Sequence, residues 1–197
     1  GYSQGSKLPA EFDITKHAKP GKNTIAIQIF RWTDGSYLEC QDFWRISGIE
    51  RSVFIYEQPK VRVKDFEITS TLDGAYENGV FSTDIQLKNH LKTKQKIRLS
   101  YKIYDKNKLL AHEIKKTFVQ KFSENQISFN TALPNVKSWS AEHPNLYTLV
   151  FELTDSKGRI LEVITRKIGF RSVEIKNGLL LVNGQRITLG FEACCLR

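Results

Sequence analysis

The sequence is short of several features that would place it quickly. Its three cysteines, Cys40, Cys194 and Cys195, are an odd count with two adjacent, so they give no disulfide framework. Nor does any Cys/His spacing resemble a zinc site. Stability must therefore come from packing. No run approaches the roughly 18 apolar residues that a membrane span needs, and no membrane partner is expected. The sequence opens without a charged-then-apolar leader, but this decides nothing about compartment, and cytoplasm and periplasm both stay open. Helical periodicity is scarce as well. What remains is ordinary globular material: 197 residues, 40% hydrophobic and 26% charged, enough for one large domain or two small ones with a real core.

The net charge of +9 raises the question of nucleic acid. Its lysines (Lys92, Lys94, Lys96, Lys102, Lys106, Lys108, Lys115, Lys116) are spread along the solvent faces of strand-like runs, with no nucleic-acid motif beside them. A solvated basic face is the expectation, and no nucleic-acid partner. A basic nucleic-acid-binding β-protein stays as a lesser alternative.

Strand signals dominate from the start. Phe12 and Ile14 alternate with charged residues, Pro20-Gly21 marks a turn, and Ile25, Ile27 and Ile29 put every second side chain on one face. Val53 and Ile55 continue that sheet, and Pro59 marks a boundary. So few strands do not complete a sheet, which predicts an incomplete first domain.

Seven strand-like runs come next, at about 60–70, 79–89, 95–104, 109–120, 125–131, 146–154 and 159–168. The alternations Phe81, Thr83, Ile85, Leu87 and Ile97, Leu99, Tyr101, Ile103 are the clearest. Short strands at this spacing predict an immunoglobulin-like β-sandwich. Between the fifth and sixth runs, Pro134 and Pro144 keep the chain out of a regular sheet, and Trp139 is expected to plug the end of the sandwich. Two Asn-Gly pairs, at 177–178 and 183–184, bracket LLLV and predict a hairpin with type I′ turns.

One connection stands apart. Phe30 to Arg51, FRWTDGSYLECQDFWRISGIER, holds two tryptophans, a tyrosine, four acidic residues and three arginines around two glycines. A loop this long inside a compact domain is usually functional. By chemistry alone, Asp42 is a loop carboxylate that could pair with Arg45 or Arg51. Trp32 and Trp44 could anchor the loop or stack on the apolar face of a sugar.

Four segments taken in order carry a resemblance: GYSQGSKLPAEFDIT, RWTDGSYLECQDFWRISGIERSV, WSAEHPNLYTL and GFRSVEIKNGLLLVNGQRI. Together they resemble the family 2 glycoside hydrolases, and more narrowly the large bacterial β-galactosidases, from Gly1 to about Leu189. The resemblance implies an all-β chain, with an immunoglobulin-like β-sandwich preceded by part of a jelly-roll (galactose-binding-like) β-domain. Residues 1–59 would be the later part of the jelly-roll sugar-binding domain and 60–170 the whole sandwich. Residues 171–197 would be a hairpin leading to an absent TIM barrel, with an atypical tail after Leu189, GFEACCLR.

The same resemblance sets the functional expectations. Retaining glycosidases use two carboxyl groups about 5–5.5 Å apart, and this family carries them on the barrel. The chain is therefore expected to be a non-catalytic piece of a β-galactosidase, inactive alone, with no cofactor of its own. In the full enzyme, Asp42 matches the last Asp of the family's Glu-Asp-Gln-Asp motif, which contacts galactose and a sodium ion; magnesium is a further cofactor there. Here Cys40 replaces the first Asp of that motif. The implied partners are a β-galactoside and the barrel of the same polypeptide. Unpaired edges of a half jelly roll also invite pairing into a homo-oligomer. A stand-alone carbohydrate-binding module is the other reading.

Overall fold

The computed structural model of the chain describes residues 1–4, 8–38 and 48–187. Two compact units divide it, Gly1–Tyr56 and Glu57–Arg197.

In the first unit the described regular structure is one short helix, α1 (Asp34–Leu38). The expected strands through Ile25–Ile29 and Val53–Ile55 do not form ladders among the described residues. The physical reason is that alternation defines only a face. A strand is held by hydrogen bonds to a neighbour in register, and these segments find none there. Their apolar side chains stay open to solvent, with Ile25 and Ile27 each 55% exposed and Ile55 67%.

The second unit is the sandwich. Its seven strands are β1 (Val61–Leu72), β2 (Gly79–Asn89), β3 (Gln95–Asp105), β4 (Lys108–Val119), β5 (Glu124–Leu133), β6 (Tyr147–Asp155) and β7 (Ile160–Ile168). All seven expected runs are present. They form two antiparallel sheets, β1-β2-β5 and β4-β3-β6-β7. The fourth strand thus joins the sheet of the third, where constant-type immunoglobulin domains place it beside the fifth.

The period-two pattern decides which side chains meet in the middle. In β2, Phe81, Thr83, Ile85, Leu87 and Asn89 point inward and are buried, while Asp84 and Gln86 point out. From the facing sheet come Ile97, Leu99, Tyr101 and Ile103 of β3, with Leu149, Phe151 and Leu153 of β6. Each such fully buried apolar side chain contributes roughly 1.5–3 kcal/mol relative to exposure.

A polar residue closes the inward row of β2. Asn89 is fully buried, and its Nδ2 donates to the carbonyls of Thr93 (2.9 Å), Val119 (3.2 Å) and Gln120 (3.0 Å). Its Oδ1 accepts the Leu91 N–H at 2.8 Å. One amide side chain thereby ties the β2–β3 connection to the end of β4, at a place where water cannot replace it.

After the sandwich come β8 (Val173–Lys176), β9 (Leu179–Val182) and β10 (Gln185–Arg186), in the order β10-β9-β8. Both linking turns have the expected geometry: Asn177 and Asn183 have φ of 51°, and Gly178 and Gly184 have φ of 74°. Positive φ at both central positions is what a type I′ turn requires. The atypical tail, including Leu189, Cys194 and Cys195, lies outside the described residues.

Removing the Asn89 side chain leaves several buried backbone groups unpaired. Asn89→Ala is expected to lower stability by about 2–4 kcal/mol, read from the shift in urea midpoint of the sandwich transition.

Candidate functional site

The long connection singled out by sequence begins with a locally determined turn. Ser36 closes it from both sides. Its Oγ accepts the Thr33 N–H at 3.1 Å and donates to the Arg31 carbonyl at 3.1 Å, while the Ser36 N–H reaches the Thr33 carbonyl at 2.9 Å. With Thr33 at the N-cap position, Ser36 bonds back from the third helical position to the N-cap N–H, one half of a capping box, and α1 begins with Asp34 in its first turn.

Trp32 precedes that turn, 56% exposed and with the Arg31 guanidinium carbon 5.3 Å from its ring centroid. An exposed indole paired with a cation can offer a flat apolar face. The structure brings Trp32 together with Arg31. Asp42, Trp44, Glu39, Cys40 and Arg45 lie outside the described residues.

On the sandwich itself, an open groove of about 330 Å³ runs between β1 and β7, lined by Val63, Asp65, Phe66, Glu162 and Arg166 among others. Two of its charged groups are engaged within the sandwich. Glu162 Oε2 accepts the Val63 N–H at 2.7 Å beside the bulge between Val63 and Asp65, and Arg166 stacks 5.2 Å from the Phe66 ring. Such an arrangement staples an edge and leaves little for a ligand. Among the described residues, no group of three or more His, Cys, Asp or Glu side chains is placed to hold a metal ion.

The most constrained part of the described chain is where it leaves the sandwich. Trp139 donates its N–H to the Phe170 carbonyl at 2.8 Å and forms an isolated bridge with Pro144. Arg171 lies 4.8 Å from its ring centroid. Trp139 therefore closes the sandwich end, as its position between two prolines suggests. Asn183 then locks the hairpin onto this plug. Its Nδ2 donates to the Trp139 carbonyl at 3.0 Å, and its Oδ1 accepts the Ser172 N–H at 3.0 Å. The Tyr76 hydroxyl, from the β1–β2 turn, donates to Glu174 on β8. That bond, helped by desolvation, pushes the Tyr76 phenol above its ordinary pKa. In the sequence Asn183 reads as a turn residue only. Its second role depends on Trp139 lying alongside, which no local pattern shows.

This architecture matches known proteins. The family profile "Glycosyl hydrolases family 2" matches residues 61–171, and "Glycosyl hydrolases family 2, sugar binding domain" matches residues 1–59. The chain belongs to glycosyl hydrolase family 2. It is 43% identical over 194 residues to a β-galactosidase of Priestia megaterium, covering 96% of this chain and 18% of that protein. A β-galactosidase of Oenococcus oeni is 38% identical over 194 residues, with 96% and 19% covered. The chain thus spans under a fifth of the length of these relatives. Among solved structures, a Bacteroides uniformis β-glucuronidase superposes with a TM-score of 0.60 at 19% identity, over 65% of this chain and 16% of that one. A family 2 member from Bacteroides cellulosilyticus gives 0.59 at 18% identity, over 66% and 18%. These two likenesses establish the fold.

The turn that supports the exit carries a pH dependence. Asp73 accepts from the Glu77 N–H, the Asn78 N–H and the Asn78 side chain. The Asn78 side-chain bond, then its backbone bond, hold the Asp73 carboxyl below its ordinary pKa. A depressed folded-state pKa adds stability above the unfolded value, and that stability is lost as pH falls through the folded value. Acidification below about pH 4 should therefore weaken the sandwich. In Asp73→Asn the acid-dependent loss should be smaller than in the wild type, measured as Tm against pH.

Proposed function

We propose that the chain is the non-catalytic part of a β-galactosidase, which braces the catalytic domain and lends one loop to its substrate site. The observation that carries this reading is the 43% identity to a β-galactosidase over 96% of the chain but 18% of the relative. In this reading residues 1–59 are the later part of a jelly-roll sugar-binding domain and 60–170 the immunoglobulin-like sandwich. Residues 171–197 lead towards a barrel on the same polypeptide that carries the two catalytic carboxyl groups. The locked exit supports this division. A hairpin fixed to the sandwich by Asn183, Trp139 and Tyr76 can set the direction of the next domain.

Asp42 is the residue assigned to the substrate. A carboxylate accepts hydrogen bonds from sugar hydroxyls and is a hard oxygen donor suited to a cation such as sodium. The described residues bring no ligand cluster together, so in this reading the other sodium ligands, and any magnesium site, come from elsewhere in the full enzyme. Trp32 and Trp44 hold the loop, with the exposed Trp32 ring able to meet the sugar's C–H face. The exposed apolar faces of the first unit would be covered by neighbouring parts of the same enzyme or by a second subunit in a homo-oligomer.

The test is made in the full-length enzyme that contains this chain. Asp42→Asn is expected to lower kcat/KM for a β-galactoside by about 10- to 100-fold and to weaken the response to sodium. Unchanged kinetics and an unchanged sodium response would remove Asp42 from the site.

A further inference from the structure

The sequence holds three Asn-Gly dipeptides, at 78–79, 177–178 and 183–184. The pair is chemically distinctive because glycine has no Cβ, so its backbone nitrogen can approach the side chain of the asparagine before it. The fold treats the three differently. Asn78 is half-buried; its Nδ2 donates to Asp73 Oδ2 at 2.7 Å and its Oδ1 accepts the Asn135 N–H at 3.1 Å. Gly79 is buried and paired on both sides, with Leu72 and with Leu133. A Cβ placed on it would lie 2.8 Å from the Phe170 ring. Asn183 is likewise held, by the Trp139 carbonyl and the Ser172 N–H. A Cβ on Gly184 would lie 2.6 Å from the Tyr76 ring.

The remaining pair has none of this. Asn177 and Gly178 are exposed, and the Asn177 side chain takes no hydrogen bond among the described residues. A Cβ on Gly178 would meet nothing within 4 Å. The two residues form the tip of the β8–β9 hairpin, beyond its last ladder partners Lys176 and Leu179. The Asn183 bonds that fix the hairpin lie at its other end, where Val173 pairs with Val182. The tip can therefore open locally without disturbing the anchor or the core, and such openings are the least costly in a folded chain.

We propose that Asn177 is a site of spontaneous deamidation, and that hydrogen bonding and packing protect Asn78 and Asn183. The Gly178 nitrogen attacks Asn177 Cγ and the new C–N bond closes a succinimide ring. The Cγ–Nδ2 bond breaks, and Nδ2 leaves as ammonia with the proton from the Gly178 N–H. Water then opens the ring. Cleavage at Cγ gives aspartate; cleavage at the α-carbonyl gives isoaspartate, whose main chain runs through the side-chain methylene. Either product adds a negative charge beside Lys176. Isoaspartate also lengthens the backbone of a turn that depends on positive φ at both central positions, so it loosens the hairpin at its tip. The inference uses only the hairpin and its anchors and stands whether or not the assignment of Asp42 holds.

Peptide mapping by mass spectrometry tests it. The whole chain is incubated at mildly alkaline pH, natively and in concentrated urea, and amide loss is followed at each pair. In urea the three should react at similar rates, since glycine follows each asparagine. In the native chain Asn177 should react roughly tenfold or more faster than Asn78 or Asn183, because each of those must first give up two side-chain hydrogen bonds. Isoaspartate should accumulate at position 177. Asp73→Ala, shown to be folded by circular dichroism, removes one partner of Asn78 and should speed its amide loss while leaving the Asn177 rate unchanged. Where that variant does not fold, the native wild-type rates decide alone. Equal native rates at the three pairs, or faster loss at Asn78 or Asn183, would overturn the proposal. So would an Asn177 that reacts in urea but stays intact in the native chain, which would show that the turn itself protects the pair.

Discussion

The contact on which the sandwich depends is the one made across its middle by Tyr101. The ring projects inward from β3 and meets Phe81 of β2 and Phe129 of β5, each with centroids 5.1 Å apart, the second edge-on. Phe66 and Phe151 repeat the cross-sheet pairing at 5.5 Å. Aromatic pairs of this kind add roughly 0.5–1.5 kcal/mol beyond the area they bury, and only at particular separations and angles. They therefore fix the spacing and relative rotation of the two sheets as well as filling space. Burial pushes the Tyr101 phenol above its ordinary pKa, while a hydrogen bond with Thr131 keeps its hydroxyl satisfied. With no disulfide pair to hold the sheets, this aromatic seam serves in its place.

The seam leads to an ordered exit. Phe170 is fully buried and packs edge-on against Tyr147 at 5.3 Å, which carries the core to the end of the sandwich. There the backbone of Phe170 takes up Trp139, Trp139 takes up Asn183, and Tyr76 reaches Glu174. Ser70 and Ser172 add further bonds between β1 and this segment. The hairpin is thus continuous with the core through hydrogen bonds and aromatic contacts. Such a joint is what the proposed bracing role requires.

The sandwich was legible because each strand buries one face, so period two shows directly in Phe81, Ile85 and Leu87 or in Ile97, Leu99 and Ile103. Asn89 continues the same inward row two residues further, and its burial could have been read by extending the count past a polar letter. Trp139 as a plug and both Asn-Gly turns were also readable, because proline and positive φ act locally. The strands expected near Ile25 and Val53 show where alternation stops informing: a local pattern carries nothing about a partner. Pairing across strands was equally hidden. Arg98 and Lys116, or Glu67 and Asp84, are 18 and 17 residues apart in sequence and become neighbours only through register. Asp42 was found through the family motif alone, since a single loop carboxylate gives no pattern of its own.

In the proposed role these residues brace and complete a glycosidase site without performing its chemistry. That role is tested most directly by incubating the purified chain with a chromogenic β-galactoside and following product release. No turnover above the buffer rate is expected, with or without sodium. Hydrolysis that copurifies with the folded chain and is lost on its denaturation would contradict it.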